Sequence, residues 1–150
     1  MRHLLATLTA VTLALSPVAA SAAAADPDAP SYAKGTVWDF AMIRTQDGHF
    51  DDYMQWLAGR WQEQQEALKK AGYIRSYKVL IVSDPRPNEA DLILATEYQN
   101  MAAFDRTADE EYAMQKKIFG SLATASKEQA ARGSIRTVLG DMLLREAVLK

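Results

Sequence analysis

Residues 36–45, TVWDFAMIRT, decide the fold. Trp38, Phe40 and Met42 alternate with Val37, Asp39, Ala41 and Ile43, which is the two-residue period of a β-strand. Only Asp39 interrupts an otherwise apolar run on either face. A strand apolar on both sides is expected to be covered on both sides.

Downstream, Gln46-Asp47-Gly48-His49 reads as a turn, and a long helix follows over 50–71. Asp51 and Asp52 favour its positive end, Lys69 and Lys70 its negative end, and Gly72 stops it. Its inward stripe is Phe50, Tyr53, Leu57, Trp61 and Leu68. Residues 74–83 (IRSYKVLIVS) and 91–98 (DLILATEY) are two further strands. Pro85 and Pro87 bar the segment between them from a strand interior, so the pair is expected as a long-looped hairpin. Asn100 caps a helical region that opens with Met101 and Phe104. The helical pattern resumes through Tyr112, Gln115, Phe119 and Leu122, and can run to Arg132 before Gly133. Residues 134–144 form a fourth strand, and the pattern leaves the tail REAVLK open. The order is βαββαβ, an α+β, ferredoxin-like arrangement with an antiparallel four-stranded sheet. Two helices cover one face of such a sheet. The other face is expected to be apolar as well, with Val37, Ala41 and Ile43 beside Ile93 and Ala95. A second copy of the chain is the simplest cover for it.

Upstream, the chain starts MRHLLATLTAVTLALSPVAASA. Arg2 and His3 precede an uncharged apolar stretch at 4–15, a Ser16-Pro17 break and the small triplet Ala20-Ser21-Ala22. This is the pattern of a cleavable signal peptide over 1–22, with Ala24 and Ala25 as rival cleavage points. The stretch is too short to span a bilayer core of about 30 Å. Residues 23–35 read as a flexible leader, and 36–150 as one domain. The expected product is exported, periplasmic or secreted, with no membrane attachment after cleavage. Cleavage after Ala22 would leave 128 of the 150 residues, enough for a core without disulfides, and the chain has no cysteine. Loss of Arg2 would take the formal charge from −2 to −3, which offers nothing to nucleic acid.

With this element order, the chain resembles the dimeric α+β barrel superfamily. That superfamily includes antibiotic-biosynthesis monooxygenase-like, EthD-like, YCII-like and stress-responsive barrel proteins. TVWDFAMIR, the helix ending in KKAG, the strands SYKVLIVS and DLILATEYQN, and the motif QNMAAFD carry the resemblance, over about residues 36–144. It implies a homodimer with sheets face to face and a small-molecule pocket beside each sheet. It brings no catalytic signature, and fold alone says little about function.

Candidate chemistry is sparse. His49 is the one histidine left after cleavage; it could serve as a base or haem ligand, or be an exposed turn or capping residue. One histidine and no cysteine leave no metal-ligand spacing. Asp39 and Glu97 each interrupt an apolar strand, and strands one and three are neighbours in this fold. The two carboxylates could therefore lie close enough to raise a pKa, or form an ion-pair network with Arg75, Lys78 or Arg136. Trp56, Tyr77, Tyr98 and Arg136 could line a ligand pocket, while Trp38 and Trp61 sit on expected inward stripes. No GxSxG, P-loop or GxGxxG motif is present, and no cofactor is expected. The leading expectation is an exported homodimer binding a small apolar or aromatic molecule. A cofactor-independent monooxygenase, isomerase or cyclase using Asp39, His49 or Glu97 is the alternative. A structural or partner-binding protein without a ligand is a third reading.

Overall fold

The central strand β1 runs Tyr32–Thr45 and is hydrogen-bonded along both edges. It appears in a computed structural model that describes residues 28–150. The expected signal peptide and the leader up to residue 27 lie outside the described residues. β1 starts four residues before the alternation at 36–45 suggests, because the last strand is longer than expected. That strand, β4 (Arg136–Leu149), takes in the tail, and its Ala147–Leu149 pair with Lys34, Ala33 and Tyr32. With β2 (Ser76–Ile81) and β3 (Leu92–Tyr98) the order is β2-β3-β1-β4, antiparallel throughout. This is the ferredoxin-like α+β fold, and residues 31–150 make up one unit.

The register assigns the two faces. Directly paired residues share a face, and β1 pairs Trp38 with Glu97, Asp39 with Thr96, Phe40 with Ala95 and Met42 with Ile93. Val37, Ala41 and Ile43 therefore turn to the helices, together with Leu92 and Leu94. Trp38, Phe40 and Met42 form the open face with Ile93 and Ala95. This corrects the expected grouping: the open face is apolar, but β1 contributes to it the opposite set of side chains. Trp38 stands on it, not on an inward stripe, with its ring 6.0 Å from that of Phe40.

The long helix is continuous in sequence but not uniform. α1 (Phe50–Trp56) passes into a π-helical turn (Leu57–Trp61) and then into α2 (Gln62–Lys70). Tyr53, Leu57 and Trp61 are spaced by four, and on a pure α-helix such a row drifts around the axis. The wider π turn holds them in line, and all three are buried against Ile43, Leu92 and Leu94.

The second helical region is two helices, not one. α3 (Ala108–Phe119) opens with a capping box between Thr107 and Glu110. It ends at Gly120, whose φ of 83° few side chains tolerate, and Ser121 caps α4 (Leu122–Arg132) by accepting from the Thr124 N–H. Asn100 caps only a single 3₁₀ turn, Met101–Phe104.

Two substitutions test this reading of the helices. Gly59 lies in the π turn with open space around its Cα, so Gly59→Ala should stabilise by about 0.5–1 kcal/mol. Gly120→Ala, forced to a positive φ, should cost about 1–2 kcal/mol. Urea denaturation of both variants beside the parent measures the two signs.

Candidate functional site

The end of α4 and the start of β4 bring together two arginines that have no carboxylate within ion-pair reach among the described residues. Arg132 closes α4 and Arg136 opens β4, four residues on across a tight turn. Both Nη2 groups donate to one acceptor, Gln129 Oε1, at 2.6 and 3.3 Å. The Arg132 guanidinium lies over the Trp56 ring, 4.1 Å from its centroid, and Arg136 lies against Tyr53 at 5.8 Å. Tyr53 and Trp56 stack on each other at 5.6 Å. Arg136 is only 8% exposed. The Nε atoms of both arginines are buried without an acceptor. Burial and the neighbouring Arg136 push the Arg132 pKa down, while burial pushes the Tyr53 hydroxyl up against the pull of Arg136.

Arg132 and Gln129 also line a cleft of about 510 Å³ between α2, α3 and α4. Leu68, Met114 and Phe119 supply its apolar wall. Glu111 lines it too, but is held by Arg106 at 3.2 Å. Trp56 and Arg136, two of the four residues expected to line a ligand pocket, thus meet in one cluster. Arg132 and Gln129 went unnoticed there. A signal did exist: the stretch from Gln129 to Gly140 holds two arginines and no acidic residue.

The other candidates do not converge. Asp39 and Glu97 lie on opposite faces of the sheet, because β1 pairs Asp39 with Thr96 and Glu97 with Trp38. The expected carboxylate pair therefore does not form. Glu97 is 16% exposed, accepts from Ser76 Oγ at 2.6 Å and pairs with Arg75 at 3.4 Å. Lys78 sits over Trp38, 5.2 Å from its ring centroid. Asp39 instead faces the helices near Asp141. Burial, then the Asp141 charge, raises its pKa. Burial and then the Asp39 charge raise that of Tyr98, whose ring packs on Phe104 at 4.7 Å. Tyr77 donates its hydroxyl to Glu66 at 2.6 Å and meets Trp61 edge-on at 5.3 Å. His49 is half-exposed, with Nδ1 2.8 Å from Asp52 Oδ2. Among the described residues no group of three or more histidine, aspartate or glutamate side chains is gathered as a metal ion would require.

Several solved structures are similar to the chain, three of them as follows. HapK from Hahella chejuensis has a TM-score of 0.50 at 14% identity, over 73% of this chain and 91% of its own. A dimeric ferredoxin-like protein from an uncultured marine organism has a TM-score of 0.46 at 13% identity, over 79% of this chain and 90% of its own. A dimeric protein of unknown function and ferredoxin-like fold from Bacteroides fragilis has a TM-score of 0.41 at 13% identity, over 75% and 95%. At such identities the likeness speaks for the fold alone. No protein-family model and no curated protein matches the chain.

The state of Asp39 has a measurable consequence. Its carboxyl holds a proton more tightly in the folded chain than in the unfolded one. Stability therefore falls as pH rises from the ordinary carboxylate value through the raised one, and then levels off. Asp39→Asn should raise the melting temperature at pH 7, and the gap should close as the buffer is taken down towards about pH 4. Thermal denaturation across that range checks the sign.

Proposed function

We propose that the protein is an exported homodimer, its two sheets joined through their open faces, that binds a small apolar or aromatic molecule on the helix side of each sheet. The observation that carries the assembly is the open face itself. Leu80, Met142 and Leu144 stand more than two-fifths exposed on it, beside Trp38, Phe40 and Met42. A contiguous apolar surface of this kind marks an interface in a folded chain, and a second copy supplies a face of matching chemistry. The amino-terminal pattern at 1–22 supports export. The cleft beside Arg132, apolar on one wall and polar at one end, has the make-up of a small-molecule site.

A second reading, a cofactor-independent monooxygenase, isomerase or cyclase, draws on one observation. Asp39 is a half-buried carboxyl with a raised pKa, close enough to Tyr98 for their charges to interact. A group of that kind suits general acid or base work.

Size-exclusion chromatography with light scattering should find a dimer at micromolar protein, and a monomer would overturn the assembly. Phe40→Asp combined with Leu144→Asp should convert that dimer to a folded monomer. Native mass spectrometry of protein from the exported fraction of its host should find a retained small molecule.

A further inference from the structure

The unmatched charge at Arg132 has a chemical meaning for the ligand. The other guanidinium groups near the cleft have carboxylate partners: Arg60 meets Glu128 at 3.3 Å and Arg106 meets Glu111 at 3.2 Å. Among the described residues neither Arg132 nor Arg136 has a carboxylate within ion-pair reach. Glu128, whose field does reach Arg132, is already taken by Arg60 and by Gln64 at 3.4 Å. Two guanidinium groups share one neutral amide oxygen, and each leaves a buried N–H without an acceptor. Sequestering cations without a counter-charge is costly, and an anion would supply that charge.

The geometry also fixes what kind of anion. The Arg132 guanidinium lies over the Trp56 ring, and a guanidinium is a planar fork of N–H donors whose form matches a planar carboxylate. The Gln129 amide nitrogen is a further donor beside it, since Gln129 Oε1 is committed to the arginines. Beyond them Leu68, Met114 and Phe119 supply an apolar wall for an apolar body, and the one carboxylate lining the cleft, Glu111, is held by Arg106.

We propose that the bound molecule is an apolar or aromatic monocarboxylic acid, its carboxylate held by Arg132 and Gln129 and its body lying along Leu68, Met114 and Phe119. This rests on the small-molecule reading of the cleft. Arg132 here is a binding residue, and Arg136 positions it by sharing the Gln129 acceptor.

The test is calorimetric titration of the protein, expressed from the full chain, with naphthalene-2-carboxylate and with its neutral carboxamide. The acid should bind about tenfold or more tightly than the amide, as a charge-assisted contact requires. Arg132→Gln should remove most of that preference. Arg132→Lys, which keeps the charge but not the planar fork, should fall between, and it reads the same contrast if the glutamine variant fails to fold. Equal binding of acid and amide would overturn the acid proposal and leave the small-molecule reading standing. Binding of neither would overturn both. Acid binding undiminished in both variants would place the acid elsewhere and overturn the assignment to Arg132.

Discussion

The structure depends on one constraint: β1 is apolar on both faces and hydrogen-bonded on both edges. Every other element answers it. β3 and β4 satisfy its backbone groups. The helical stretch at 50–70 covers Ala41 and Ile43, and its π turn keeps Tyr53, Leu57 and Trp61 on a single row. The opposite row of Trp38, Phe40 and Met42 receives no such cover from within the described chain. The same strand that organises the core thus leaves a second, unfinished surface behind it.

Charge is handled in the same uneven way. On the open face Glu97 is fully engaged by Ser76 and Arg75 near the sheet's end, where water still reaches it. Thr45 and Asp91 tie the end of β1 to the residue before β3, Asp91 accepting from both the Thr45 backbone N–H and its hydroxyl. These contacts hold strands in place. Around Trp56 the balance is different: cations gather, aromatic faces support them, and the carboxylates nearby are bonded elsewhere. A surplus of one charge in a half-buried place is poor architecture for stability alone.

Much of the fold was legible because it is written locally. The alternation at 36–45, the double proline between two apolar runs and the cap at Asn100 each act over a few residues. What was not legible depends on pairing between distant segments. Asp39 and Glu97 both interrupt strands, but whether they share a face turns on one unit of register, and a one-residue slip reverses the answer. β1 and β4 extend past their patterned regions because each is the other's partner, and the tail residues say little by themselves. The break at Gly120 was hidden by apolar residues that continue the period on both sides of it. Arg132 and Arg136 belong to different elements, a helix and a strand, so no single periodicity draws attention to both.

β4 has a consequence for what can join the sheet. It is fourteen residues long, lies at the sheet's margin, and leaves its outer line of N–H and C=O groups unpaired while Leu143 and Leu144 point to opposite sides, both largely exposed. A strand of this kind is a template that any extended chain can join. Gly140, at a φ of 154°, admits a bulge that leaves Leu139 unmatched against β1 and so bends the template partway along. That kink makes it a poorer fit for an arbitrary straight strand. The sheet's margin is thus blunted against strand addition, not closed to it.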